Sequence, residues 1–351
     1  MSERYSWRLT EVGEPLVRTP GAGTTPGPEE ALVEVAGCGV CHTDLGFFDG
    51  SVRTIGELPL VLGHEVSGVV VGAGADASSW IGRQVLVPAV IPCGACDLCR
   101  AGRGNACTRQ TMPGNAIDGG FASHMTVPAG YLTPIPTLPA GHSLADFAVV
   151  ADAVTTPLQA VRRARVAAGD FAIVVGTGGI GSYAVQIAAA AGATVIAVDL
   201  DPARLEPLTG RGATDVIEAG GLSAREVRDR VHDLAASHGA PRSGWKIFEC
   251  SGHPAGQETA FALLVTAATL AVVGFTREKV ALRLSNLMAY DADAFGTWGC
   301  PPHLYPEAVD LVASGKVAVL PFTRKVPMDD VNDALAQAAA GTDPRRIILV
   351  P

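Results

Sequence analysis

Four cysteines crowd into one short stretch, Cys93-Gly-Ala-Cys96-Asp-Leu-Cys99 followed by Cys107. Thiolates at this spacing suit tetrahedral Zn2+, whose sulfur ligands stand about 2.3 Å from the metal. A closed four-sulfur shell leaves no place for a substrate, so such a site is structural. Disulfides are the alternative, but three cysteines at every third position pair poorly within one turn. Upstream, Cys41-His42-Thr43-Asp44 is followed, twenty-three residues after Cys41, by His64 in Gly63-His64-Glu65. A thiolate and an imidazole need a third protein ligand to make an open zinc site, whose fourth position takes water or substrate. Cys38 forms a Cys-x-x-Cys with Cys41. It reads either as half of a redox pair or as a small packing residue.

A second chemistry lies further on. The apolar run Phe171–Val175 enters Gly176-Thr-Gly178-Gly179-Ile180-Gly181, and an Ala-rich helix is expected to about Ala191. Glycines in that order allow a tight turn, close approach of backbone to a pyrophosphate, and close helix-on-strand packing; the helix N-terminus attracts the phosphates. The next apolar run ends in Asp199, eighteen positions beyond Gly181. A carboxylate there accepts hydrogen bonds from the adenosine ribose and repels the extra phosphate of NADP, so NAD is the expected cofactor.

The elements that must hold these residues change character along the chain. The first 150 residues carry short β-like runs, Ala31–Val35, Gly68–Val71 and Gln84–Val87, punctuated by turn residues, which predicts a barrel-like all-β domain. Near Thr155 the texture shifts. Thr156 as N-cap with Pro157 at the first helical position opens a helix through Arg165. Strands expected at Phe171–Val175, Thr194–Val198, Asp215–Ile217, Lys246–Glu249 and Thr269–Val273 alternate with helical segments, so the fold class is α/β with a doubly wound parallel sheet. A helix at Tyr305–Ser314 and a closing strand at Arg346–Val350 return to the first domain.

Bulk properties narrow the function. With 351 residues, 48% hydrophobic and 17% charged, the chain has material for two domains with large cores. A net charge of −9 argues against a nucleic-acid partner, though a local basic cluster can still hold an anionic substrate. The opening Met-Ser-Glu-Arg-Tyr-Ser-Trp lacks the apolar core of a signal peptide, and Gly192 interrupts the most apolar stretch, Ala184–Val198. Cysteines spaced for metal point to a reducing compartment, and a cytoplasmic location is expected.

Taken in order, the Cys-His-Thr-Asp and Gly-His-Glu motifs, the four-cysteine lobe and the glycine turn with its Asp resemble the zinc-dependent alcohol dehydrogenases of the medium-chain dehydrogenase/reductase family. The likeness covers nearly the whole chain. It implies a GroES-like β-barrel catalytic domain over 1–153 with the zinc lobe at 93–107, a Rossmann cofactor domain over 154–292, and a return segment over 293–351. It implies two Zn2+ per chain, NAD(H), and a homodimer or homotetramer. Cys41, His64 and Asp152 become the catalytic zinc ligands, with Glu65 behind the metal as a transient ligand. Thr43 matches the relay hydroxyl, Asp44 the carboxylate that orients His64, and His42 and Arg204 cofactor-binding positions. One departure stands out: several members carry a histidine three residues after the relay hydroxyl, where this chain has Gly46. The proton must then leave through the cofactor ribose and water, or another group.

Phe47, Phe48, Trp298 and Leu304 occupy positions that line the family's substrate pocket, although each fits a core role as well. The segment from Leu287 to Pro306, with Ala151–Pro157, resembles 6-hydroxycyclohex-1-ene-1-carbonyl-CoA dehydrogenases. That implies a cyclic acyl thioester of coenzyme A as substrate. A conjugate enoyl reductase is the alternative activity. A non-catalytic NAD-binding protein fits less well, since it would not need an open metal site.

Overall fold

The computed structural model describes residues 3–341 and 343–351, which fall into two compact units. The first comprises Met1–Thr155, Gly299–Gly315 and Val319–Pro351; the second comprises Thr156–Trp298 and Lys316–Ala318.

The first unit is built on a seven-stranded sheet. Its order is Thr323–Pro327, Arg346–Val350, Glu30–Gly39, Glu65–Ala73, Gln84–Val87 and Thr133–Pro134, with His124–Pro128 paired beside Glu30–Gly39. Alternation drives it: Val33 and Val35 point into the core while Glu34 between them is exposed. Val66, Val70, Val85, Val87, Met125 and Val127 complete that core from neighbouring strands. The register sets Gly39 opposite Glu65 on one side and Ile348 on the other, so the segments bearing Cys41, His64 and the chain's last strand meet at one sheet end. Gly63 makes the approach to His64 possible. Its φ is +95°, and a Cβ there would lie 2.6 Å from Phe121 Cδ1 and 2.7 Å from Cys38 Sγ. Cys38 is accordingly a buried packing residue, and burial pushes its thiol well above the ordinary range.

The second unit is a six-stranded parallel sheet. Its order is Asp215–Glu218, Thr194–Asp199, Phe171–Val175, Lys246–Glu249, Thr269–Val272 and Asp293–Gly296. Chain order reverses beside Phe171–Val175, the place where open α/β sheets bind ligands at the carboxyl ends of their strands. Phe171, Ile173, Val175, Ile196, Val198, Ile247 and Trp245 pack one face beneath helices such as Ala224–Ser237. The doubly wound sheet is as expected, but three details differ. A sixth strand, Asp293–Gly296, joins the sheet although its exposed residues carry no apolar alternation; its pairing carries the second unit to Trp298, past 292. The helix after the domain junction is Thr155–Arg163, so Thr156 lies inside it and does not cap it. It also ends two residues before Arg165, which adopts a positive φ of 54°. Among the described residues, no single helix is long and apolar enough to cross a membrane.

Candidate active site and metal centres

Cys41 is the N-cap of the helix His42–Phe48, His64 precedes the strand Glu65–Ala73, and Asp152 ends the 3-10 helix Leu144–Ala151. These separate elements converge. Cys41 Sγ lies 3.9 Å from Asp152 Oδ2, and His64 Nε2 lies 3.8 Å from the same oxygen. Ligands on a tetrahedron of radius about 2.1–2.3 Å stand roughly 3.4–3.8 Å apart, so one thiolate, one imidazole and one carboxylate here have the type and spacing of a three-ligand zinc site. Asp44, fully buried, ties the set together. Its Oδ2 accepts from the Cys41 N–H at 2.9 Å, and its Oδ1 from the Gly63 N–H and the His64 Nδ1–H, each at 3.2 Å. The last bond leaves the Nε2 lone pair facing Cys41 and Asp152, which is what a metal-binding imidazole requires. Burial works against a charged His64, but Asp44 and contacts to Asp152 and Cys41 hold its proton affinity well above the usual value.

Glu65 contributes an oxygen within 4.8 Å of the Cys41, His64 and Asp152 donors. Its carboxylate is already engaged: Arg346 donates through Nε at 2.8 Å to Oε2 and through Nη2 at 2.5 Å to Oε1, both residues being buried. Burial lifts the Glu65 carboxyl above its ordinary range, and the guanidinium pulls it back. With Glu65 so held, Cys41, His64 and Asp152 are the groups that could serve as ligands, which would leave a fourth position for water or substrate. Thr43 Oγ1 lies 3.8 Å from Cys41 Sγ. Gly46 is buried in the same helix; a Cβ there would come within 3.0 Å of Val52 Cγ2, so a histidine would have to displace that side chain.

The lobe holds its four sulfurs at similar separations. Cys96 Sγ is 3.4 Å from Cys99 Sγ and 3.7 Å from Cys107 Sγ, and Cys93 Sγ is 4.0 Å from Cys99 Sγ. Sulfurs on a 2.3 Å tetrahedron would be about 3.8 Å apart. All eight cysteines are free thiols, so disulfides do not form here. Arg109 braces the cluster with its backbone N–H 3.3 Å from Cys107 Sγ and its Nη2 3.4 Å from Cys93 Sγ, offsetting the charge of neighbouring thiolates.

In the second unit, Gly176–Gly181 joins the strand Phe171–Val175 to the helix Gly181–Ala190, with Ile180 as N-cap and Gly179 half-buried. A Cβ on Gly181 would sit 1.8 Å from the Gly176 carbonyl oxygen, whereas one on Gly178 would meet only Arg204 Nη1, at 3.8 Å. The first glycine is required by packing; the second leaves a bare cradle at a helix N-terminus, the feature a pyrophosphate needs. Asp199 Oδ2 accepts from the Thr177 N–H at 2.6 Å and hydroxyl at 3.1 Å, and Oδ1 from the Asp201 N–H at 3.0 Å. Three hydrogen bonds leave acceptor capacity on Oδ1, the oxygen Arg204 Nη1 approaches at 4.0 Å.

Other expected positions fall differently. His42 is exposed on the first turn of its helix. Phe47, only 2% exposed, belongs to the core of the first unit because its helix turns that face inward. Phe48 packs partly against the same core, Leu304 is half-buried, and Trp298 is 53% exposed at the end of the second unit. Sequence reasoning missed Arg346, Thr177 and Arg109. A charged residue opening the apolar run Arg346–Val350 was a usable signal for the first; the others carried none.

Two family models match the chain. Residues 27–137 match the alcohol dehydrogenase GroES-like domain, and residues 179–314 match the zinc-binding dehydrogenase model. An alcohol dehydrogenase of Rhizobium meliloti (strain 1021) is 30% identical over 344 residues, 97% of each chain. The L-galactonate-5-dehydrogenase of Escherichia coli (strain K12) is 29% identical over 306 residues, 86% of each chain. A Sinorhizobium meliloti 1021 protein named as a zinc-binding dehydrogenase and solved bound to NADP has a TM-score of 0.87 at 27% identity, covering 100% of both chains. A GroES-like domain joined to a Rossmann-type sheet, with two metal-ligand clusters, defines an oxidoreductase of the medium-chain dehydrogenases/reductases. Within that class, the chain belongs to the zinc-type alcohol dehydrogenase family.

Proposed function

We propose that this chain is a zinc-dependent, NAD(H)-linked alcohol dehydrogenase and carbonyl reductase with one catalytic and one structural zinc. The observation that carries the reading is the convergence of Cys41, His64 and Asp152 around a position that Glu65, clamped by Arg346, does not fill. When bound, zinc supplies Lewis-acid polarisation of the substrate oxygen and NAD accepts or returns the hydride. The protein's part is orientation and proton traffic. Asp44 sets the His64 tautomer, and Thr43 accepts the substrate hydroxyl proton and passes it to water, since Gly46 offers no acid or base. The Gly178 cradle takes the pyrophosphate, and Asp199 favours the unphosphorylated ribose.

The substrate reading is an alcohol or its carbonyl. The narrower candidate, a cyclic hydroxy-enoyl thioester of coenzyme A, draws on the Leu287–Pro306 and Ala151–Pro157 segments, while the relatives' names point to alcohols and a sugar acid. The open edge of the strand Asp293–Gly296 supports assembly as a homodimer or homotetramer, and a cytoplasmic setting suits the free thiols. The deciding experiment combines metal analysis with a substrate panel. Protein purified without chelator should carry two Zn2+, of which Cys41→Ala retains one, and should oxidise alcohols or polyols with NAD in preference to NADP. A wild type that carries only one zinc, still retained by Cys41→Ala, overturns the catalytic site; preference for NADP overturns the cofactor reading. Turnover of cyclic enoyl-CoA esters far above alcohols establishes the thioester, and the converse removes it.

A further inference from the structure

Asp152 sits at a break in the chain, between the 3-10 helix Leu144–Ala151 and the helix Thr155–Arg163, with φ −136° and ψ −54°. Regular helical bonding stops on both sides of the residue, so the peptide before it is fixed by bonds from elsewhere. Ala151 O accepts from Tyr305 Oη at 2.7 Å and from Thr155 Oγ1 at 2.9 Å, filling both lone pairs. The Tyr305 oxygen in turn accepts from the Ala89 N–H at 3.1 Å. All of these groups are buried, Tyr305 and Ala151 completely. The phenol thus ties the peptide before the ligand to the segment that follows the strand Gln84–Val87, across 216 residues of sequence.

From this arrangement we infer that Tyr305 is a positioning residue for the catalytic metal: it sets where the Asp152 carboxylate stands relative to Cys41 and His64. The inference rests on the zinc reading above and adds a residue that touches neither metal nor substrate. A ligand that lies 3.8–3.9 Å from its two partners has little room to shift before the tetrahedron opens. Outer-shell partners of metal ligands change metal affinity by about 10–100-fold when removed; Tyr305 acts through one peptide unit, so the lower end, about tenfold, is expected.

The test uses the metal-loaded full chain and reads metal release rather than turnover. Wild type, Tyr305→Phe and Leu335→Ala are mixed with excess chromophoric chelator, and the loss of each zinc is followed in time. Leu335 is a buried core residue of the same unit, outside both metal clusters, and serves as the control for general destabilisation. Tyr305→Phe should release the catalytic zinc about tenfold faster with the four-cysteine zinc unchanged, and its cobalt-substituted form should show shifted visible bands. Leu335→Ala should release both metals as wild type does. Equal release from wild type and Tyr305→Phe overturns the proposal, as does equal acceleration in Leu335→Ala. Should Tyr305→Phe fail to fold, Thr155→Val removes the other bond to the same carbonyl and should speed release, with Thr155→Ser restoring it; no effect from Thr155→Val then overturns the idea. A wild type that holds one zinc, retained by Cys41→Ala, instead breaks the site reading on which the inference stands.

Discussion

Arg346→Met is the sharpest single perturbation of the site. Glu65 is fully buried and Arg346 is 8% exposed, and they share two hydrogen bonds of 2.8 and 2.5 Å. Removing the guanidinium leaves a carboxylate in the core without a partner, and breaking buried pairs in this way costs about 3–5 kcal/mol. The Coulomb attraction agrees: two unit charges about 4 Å apart at an effective dielectric near 20 give about 4 kcal/mol. Replacing both members by apolar residues of similar volume is often neutral, so Glu65→Met combined with Arg346→Met should recover most of the loss. Urea unfolding of the four proteins of the cycle measures the coupling, expected at about 3 kcal/mol or more. Activity adds a second reading. Glu65 has an oxygen within 4.8 Å of the other donors, so once released it competes for the open position. Arg346→Met should therefore lose more activity than the double variant. A cost below about 1 kcal/mol, or single effects that simply add, would refute the reasoning, since additivity means the two side chains do not sense each other.

Three further outcomes are expected. Asp152→Ala should abolish turnover with the fold intact while Asp152→Cys keeps the catalytic zinc, because both side chains serve this metal; near-normal turnover of the alanine variant would show a different third ligand. Asp199→Ala should raise the Kd for NAD and raise relative use of NADP, since it removes both the ribose acceptor and the repulsion of a phosphate, as ratios of kcat/KM for the two cofactors will show. His124 is buried, and that burial, helped by Arg4 and opposed by Glu34, depresses its pKa below 6.5. The unfolded chain then binds the extra proton first, so this contribution to stability is present above pH 6.5 and is lost as pH falls from there through the folded-state value. Urea midpoints at pH 8 and pH 5.5 should differ less in His124→Gln than in wild type.

What the linear sequence carried was local. The four cysteines of the lobe lie within fifteen residues, so their shared metal is a matter of loop spacing. The turn Gly176–Gly181 is also local, and its flanking strand and helix follow from the hydrophobic period on either side. The four inner strands of the second unit carry apolar runs because they are covered on both faces; Asp293–Gly296, at one edge and largely exposed, had no such pattern to read. Cys41, His64 and Asp152 belong to three distant segments, and a family resemblance, not spacing, singled out the third.

Tertiary structure alone decided which side chains complete one another across long separations. Arg346 reaches Glu65 over 281 residues because the last strand pairs with Glu30–Gly39, which also pairs with the strand of Glu65. Tyr305 reaches Ala151 over 154 residues because the chain returns to the first unit after Trp298. It also decided that Phe47 faces inward, since burial depends on which side of a helix meets the core and the short segment His42–Phe48 does not reveal that side. Residue type specifies what a group can do chemically; whether a carboxylate is a ligand, a clamp partner or a cap depends on the donors and acceptors the fold places within about 3 Å of it.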